Sequence, residues 1–215
     1  MTVMGREFID LFERWADSYD TTVSGQDEEY RDVFKGYDGI LSSVAQASSG
    51  HVLEFGVGTG NLTSFLLNEG LEVTGVEPSK AMREKASKRL PDVTFYDGDF
   101  MVFPTPTKPV QTIVSTYAFH HLTDEEKEIA IHKYSQLLGQ NDKIVFADTA
   151  FKDENARIKM HEKVKAKGYY NLLQDLQTEY YTTIPVLEEL FQQHGFRVVF
   201  TQLNDFVWLM EAVKN

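Results

Sequence analysis

The sequence predicts an α/β protein with a mainly parallel sheet that is covered by helices on both faces. From His51 onward, short apolar runs alternate with amphipathic segments, a pattern typical of strands connected by crossover helices. A glycine-rich turn at 56–60 joins the first of these strands to the first helix. The last two strands are separated by only a short turn, so they must form an antiparallel hairpin at one edge.

The individual elements follow from the periodicity of apolar residues and from the turn residues between them. Residues 1–46 are interpreted as two amphipathic helices that form a lid, and residues 153–177 as a helical insertion over the core of 51–213. The seven predicted strands are 51–56, 71–76, 93–96, 112–116, 143–148, 196–203 and 205–213. The predicted core helices are 61–69, 79–90, 124–138 and 184–194.

Length and composition favour a single domain that spans residues 1–215. With 215 residues and 42% hydrophobic content, the chain can cover one sheet but not build two domains of ordinary size. It has no apolar run near the roughly 18 residues of a membrane span, and its first ten residues lack a signal-peptide pattern. We therefore expect a cytoplasmic protein without a membrane partner.

Charge and cysteine content exclude or disfavour several functions. The 21 basic and 33 acidic residues give a net charge of −12, which disfavours nucleic acid as a partner. The most basic stretch, 80–89, is either a solvated helix face or a phosphate-binding patch. The absence of cysteine excludes disulfides, thiolate metal sites and cysteine nucleophiles, and no metal site is predicted.

The turn after the first strand has a spacing that suits a particular kind of ligand. Its glycines, Gly56, Gly58 and Gly60, form GxGxG and not the GxGxxG that seats a pyrophosphate. Glu54 lies two residues before this turn, where an acid disfavours a phosphate and suits a cationic group. An ordinary tight turn without a ligand is the alternative for the glycines alone.

The next two strand ends also carry groups that suit a nucleoside. Glu77 ends the second strand, where a carboxylate can accept hydrogen bonds from both hydroxyls of a ribose. Asp99 follows the third strand and offers a carboxylate to an adenine amino group, and Phe100 offers a ring for stacking. Three successive strand ends therefore present groups for an amino acid, a ribose and an adenine.

Four segments together resemble the motifs of class I S-adenosylmethionine-dependent methyltransferases: EFGVGTGN, VEPSKAM, DGDF and VSTYAFHHLTD. The resemblance implies a Rossmann-like fold and S-adenosyl-L-methionine as cofactor. More narrowly, the chain is similar to a bacterial methyltransferase family whose genes accompany methionine-to-cysteine metabolism. Residues 12–20 resemble the lid of small-molecule methyltransferases, in which Tyr19 would close over the methionyl part of the cofactor. In this resemblance Gly56, Glu77 and Asp99 match cofactor-binding positions, and Glu54, Gly58 and Gly60 complete the turn. Together with Phe100 and Tyr19, they are the predicted cofactor-binding residues.

Two histidines after the fourth strand are candidates for catalysis. His121, and less so His120, would take a proton from the acceptor if methyl transfer requires its removal. The alternative is structural, with one imidazole capping the helix that begins near Thr123 and the other packing on the sheet. Four tyrosines in or after the insertion either line an acceptor pocket or simply pack: Tyr169, Tyr170, Tyr180 and Tyr181.

The sequence thus favours a methyltransferase that acts on a small-molecule acceptor, as a monomer or homodimer. A nicotinamide-dependent oxidoreductase is the first alternative, because Glu77 would also suit the ribose of NAD. The second is a noncatalytic module that binds S-adenosylmethionine or its demethylated product.

Overall fold

The computed structural model describes residues 22–215, which form one seven-stranded sheet with helices on both faces. The sheet order is β3-β2-β1-β4-β5-β7-β6. Strands β1 to β5 are parallel, and β7 pairs antiparallel with both β5 and β6. The strands are β1 (His51–Phe55), β2 (Glu72–Val76), β3 (Thr94–Tyr96), β4 (Thr112–Thr116), β5 (Lys143–Thr149), β6 (Phe196–Gln202) and β7 (Val207–Lys214).

The fold class predicted from the sequence is confirmed: a mainly parallel α/β sheet ends in an antiparallel C-terminal hairpin. The α-helices that the structure describes are α1 (Tyr37–Ala47), α2 (Asn61–Asn68), α3 (Lys80–Arg89), α4 (Asp124–Leu137), α5 (Glu154–Ala166), α6 (Tyr170–Thr178) and α7 (Ile184–Gln193). A 3₁₀ turn, Phe119–His121, follows β4.

Alternate residues of the central strands enter two separate cores, because side chains of a strand point to opposite faces. In β5, Ile144 and Phe146 pack into one cluster, and Val145 and Ala147 pack into the other. This burial on both faces explains why the central strands are continuous apolar runs. Because β1 to β5 are parallel, their carboxyl ends lie along one edge of the sheet, where the candidate site lies.

The predicted helical insertion at 153–177 is two helices, α5 and α6. The break comes at Gly168, whose φ of 75° lies in the left-handed region that ends a helix. Of the two helices predicted in residues 1–46, the first, with the lid segment 12–20, lies outside the described residues. The second begins only at Tyr37, since Gly36 before it also has a left-handed φ of 76°. Residues 27–36 form turns instead.

Within residues 22–215, none of the helices combines the length and the hydropathy that crossing a membrane requires.

Candidate active site

A cleft lies along the carboxyl ends of four neighbouring strands, with about 660 Å³ of empty space. Each strand contributes through the residues that follow it, so the order of groups along the cleft is the order β3, β2, β1 and β4 in the sheet. The lining residues are Gly56, Gly58, Glu77, Pro78, Met82, Asp99, Phe100, Thr116, Tyr117, Ala118 and His121.

The glycine-rich turn brings the backbone after β1 close to the residues that follow β4. Gly56 has a left-handed φ of 66°, and a Cβ added there would lie 2.9 Å from the Cβ of Ala118. A side chain at this position would therefore be strained and would also crowd the cleft. The glycine keeps this part of the cleft open to a ligand.

Glu77 is fixed under the turn by two backbone hydrogen bonds. Its Oε2 accepts from the amide of Gly58 at 2.8 Å, and its Oε1 accepts from the amide of Ser79 at 2.8 Å. The hydroxyl of Ser79 in turn caps α3 by accepting from the amide of Met82. These two bonds fix the orientation of the Glu77 carboxylate at the edge of the cleft.

Asp99 and Phe100 are held in the loop after β3. The Oδ1 of Asp99 accepts from the amides of Met101 and Val102, at 2.9 and 2.7 Å, so the carboxylate shapes this turn. Phe100 lines the cleft and also stacks on Phe55 in the core, with ring centroids 5.4 Å apart. Both residues are buried, which gives this end of the cleft a fixed shape.

The structure separates Glu54 and Gly60 from the cleft-lining residues. Glu54 is 1% exposed and accepts a hydrogen bond from the hydroxyl of Thr63 at 2.6 Å. Burial raises its pKa to about 8, Thr63 opposes the shift, and the charge of Glu77 adds to it. A Cβ on Gly60 would face Leu90 at the end of α3. Tyr19 lies outside the described residues.

The two histidines of the 3₁₀ turn have different surroundings. His121 lines the cleft, and its Nδ1 donates to the carbonyl oxygen of Ala118 at 2.9 Å. His120 lies behind it, with Nδ1 2.6 Å from the Oδ1 of Asp148 at the end of β5. Neither imidazole caps α4, because Thr123 and Glu126 form a capping box there.

Glu179, which follows α6, faces both imidazoles. Its Oε2 lies 3.2 Å from the Nε2 of His120, and its Oε1 lies 3.8 Å from the Nε2 of His121. Burial opposes the charge of His120, but Asp148 and Glu179 outweigh it and raise the pKa of that imidazole. Burial and the neighbouring His120 lower the pKa of His121 to about 4. His121 is therefore neutral at pH 7 in the protein alone.

Sequence reasoning did not identify Asp148 or Glu179 as site residues. The one available signal was Asp148, an acid at the end of an apolar strand. Glu179 has no such signal, since it reaches the site through the tertiary packing of residues 179–183. Of the four tyrosines considered for an acceptor pocket, Tyr181 donates a hydrogen bond to Glu179, and Tyr170 is 66% exposed.

Comparison with known proteins shows the family to which the chain belongs. Residues 52–141 match a family model described as a methyltransferase domain. An uncharacterized methyltransferase of Geobacillus sp. (strain WCH70) is 61% identical over 98% of this chain and 100% of its own length. The uncharacterized methyltransferase YrrT of Bacillus subtilis is 55% identical over 98% of this chain and 100% of its length.

The chain belongs to this family of methyltransferases. Solved structures of methyltransferases with much lower sequence identity share the fold. A magnesium protoporphyrin IX methyltransferase of Synechocystis PCC 6803, solved with bound S-adenosylmethionine, aligns with TM-score 0.66 and 15% identity, covering 97% of this chain and 98% of that one. A possible histamine N-methyltransferase of Thermotoga maritima aligns with TM-score 0.66 and 17% identity, covering 97% and 100%. The Rossmann-like class I methyltransferase fold is thereby confirmed.

Proposed function

We propose that this methyltransferase binds S-adenosylmethionine in the cleft and transfers its methyl group to a small-molecule acceptor. One observation supports this proposal most strongly. Among the described residues, the cleft lining contains two carboxylates and no Lys or Arg, and the amide of Gly58 already donates to Glu77. A phosphate would meet negative charge there, whereas hydroxyl donors and a sulfonium cation would be attracted. This disfavours a nicotinamide dinucleotide.

We assign the cofactor contacts by the order of the strand ends. Phe100 and Asp99 would contact the adenine and Glu77 the ribose hydroxyls, while Gly56 and Gly58 let the methionyl part approach the backbone. Glu54 and Gly60 remain predicted cofactor positions, although in this structure they support the turn from behind. The predicted contact of Tyr19 is also kept as a proposal.

The acceptor would enter at the β4 end of the cleft, where His121 lies. S-adenosylmethionine supplies a methyl group that is already activated, so the protein mainly aligns the acceptor and excludes water. Such alignment can contribute roughly 7 to 11 kcal/mol. The Nδ1 of His121 must carry the hydrogen of its bond to the Ala118 carbonyl, since a carbonyl only accepts. Its Nε2 therefore has a lone pair, which we propose meets the acceptor.

Several finer predictions remain proposals. They are the association with methionine-to-cysteine metabolism, the cytoplasmic location, the absence of nucleic acid or membrane partners, and the monomeric or homodimeric state. The net charge of −12 supports a small-molecule acceptor over a polyanion. So do the names of the Synechocystis and Thermotoga proteins, which denote small-molecule methyltransferases.

Replacing Glu77 with Ala should weaken S-adenosylmethionine binding at least about tenfold, because one or two charge-assisted hydrogen bonds are lost. Isothermal titration calorimetry on the purified variant measures this directly. Glu84→Ala is the matched control, since it removes the same charge from an exposed position on α3. Equal affinities for the wild type and Glu77→Ala would refute the ribose assignment, and tight binding of NAD in place of S-adenosylmethionine would refute the proposed function.

The acceptor itself can be found by incubating the enzyme with methyl-labelled S-adenosylmethionine and a cell metabolite extract. Mass spectrometry should detect a labelled small molecule that forms more slowly when Glu77→Ala replaces the wild type. If the cofactor binds but no labelled product forms from any extract, the protein is a noncatalytic binding module instead.

A further inference from the structure

Three side chains behind the acceptor end of the cleft converge in the way that metal ligands do. They are His120, His121 and Glu179, and one ligand atom of each lies within 4.8 Å of those of the other two. The two imidazoles come from the 3₁₀ turn after β4, and the carboxylate comes from the segment after α6. All three side chains are about nine-tenths buried.

Both imidazoles are oriented from behind through their other nitrogen. The Nδ1 of His120 lies 2.6 Å from Asp148, and the Nδ1 of His121 donates to the carbonyl of Ala118 at 2.9 Å. The two Nε2 atoms consequently face the same carboxylate, that of Glu179. Histidines that bind metals almost always have the second nitrogen held by a carboxylate or a backbone carbonyl, and here each of these partners is present once.

The carboxylate is held in a comparable way. The hydroxyl of Tyr181 donates to the Oε2 of Glu179 at 2.6 Å, and the Tyr181 ring stacks on His120 with centroids 4.6 Å apart. The amide of Tyr180 donates to the carbonyl of His120, and the Nζ of the buried Lys127 donates to the carbonyl of Tyr180. Residues 179–181 are thus fastened to the turn that carries the histidines, so all three candidate ligands belong to one rigid unit.

We propose that His120, His121 and Glu179 bind a divalent transition-metal ion of the Zn²⁺ class. Two imidazole nitrogens and one carboxylate oxygen suit Zn²⁺ and its first-row neighbours, and exclude the all-oxygen coordination that Mg²⁺ and Ca²⁺ prefer. Three protein ligands leave a coordination position open, as in catalytic zinc sites. No local sequence pattern predicts such a site, because Glu179 is 58 residues from His121 along the chain.

The place of this site suggests what the ion does. His121 lines the cleft together with Gly56 and Ala118, so the open position would border the acceptor space. An ion there would bind a hydroxyl or thiol of the acceptor and lower its pKa, with the proton released to solvent. This inference rests on the proposed function and deepens it: the lone pair of His121 would meet the acceptor through the ion.

The test is a titration of the full-length, tag-free and chelator-treated protein with Co²⁺, followed by visible absorption and calorimetry. We expect one Co²⁺ per chain, with ligand-field bands that Zn²⁺ abolishes by displacement. Glu179→Gln should weaken Co²⁺ binding at least about 100-fold, and Tyr181→Phe about tenfold, the size expected when an outer hydrogen bond to a ligand is lost. His132→Ala, which removes an exposed histidine from α4, should bind Co²⁺ like the wild type.

The inference is overturned if the wild type binds no stoichiometric Co²⁺, or if Glu179→Gln binds it as tightly as the wild type. Should Glu179→Gln fail to fold, as judged by circular dichroism, the Tyr181→Phe titration decides in its place. Calorimetry with S-adenosylmethionine on the same chelator-treated sample separates the two proposals. Cofactor binding without Co²⁺ binding refutes only the metal site, and Co²⁺ binding without cofactor binding refutes only the proposed function.

Discussion

Replacing His121 with Ala should lower kcat about 100-fold or more and leave the affinity for S-adenosylmethionine nearly unchanged. His121 follows β4, one strand beyond the turn that would hold the methionyl part, and it borders the space that we propose for the acceptor. A group that acts on the acceptor affects the reaction step, and proton transfer or metal polarisation typically contributes about 10² to 10⁴ in rate. The cofactor contacts proposed for Glu77 and Asp99 remain in this variant.

Single-turnover kinetics with the labelled cofactor, combined with calorimetry, measure the two effects separately. His132→Ala is the control, because it removes an exposed imidazole on α4. Turnover at the wild-type rate in His121→Ala would make this histidine a structural residue. A large loss of cofactor affinity would instead place the cofactor, and not the acceptor, against His121.

The sequence predicts most of the sheet because strand signals are local. β4 coincides with the predicted 112–116, and the other strand boundaries differ by at most two residues. Apolar runs bounded by turn residues are contained within each segment and require no knowledge of its neighbours. The insertion is the exception. Its polar, helical composition continues through Gly168, and only the left-handed backbone at that residue shows that the helix ends there.

The candidate site is predictable only where a strand end carries it. Glu77 and Asp99 follow buried strands, and since parallel strands end at one edge of the sheet, their convergence follows from topology. The structure places both in the cleft. Glu179 belongs to no strand end, and its position depends on how residues 179–183 dock against the 3₁₀ turn and Phe151. Such docking depends on tertiary packing, so no local pattern predicts it.

The sequence and the structure predict different ionisation states for Glu54. The sequence suggests a charged carboxylate facing a cationic ligand, but in the structure Glu54 is fully buried and its pKa is raised from 4.5 to about 8. The folded protein then holds a proton between about pH 5 and pH 8 that the unfolded chain has released. By linkage, the free energy of unfolding decreases as pH rises through this window, because the native state binds more protons than the unfolded state.

Glu54→Gln should remove this decrease. Gln can still accept the hydrogen bond from Thr63 through its amide oxygen, and it never acquires a buried charge. Relative to the wild type, the variant should gain stability between pH 5 and pH 9, on the order of 4 kcal/mol in total. Urea unfolding at pH 5, 7 and 9 without ligand measures the gain, and Glu69→Gln, at an exposed position after α2, is the control. Parallel pH dependences for wild type and Glu54→Gln would mean that Glu54 is already ionised at neutral pH, as direct pairing with a cofactor ammonium requires.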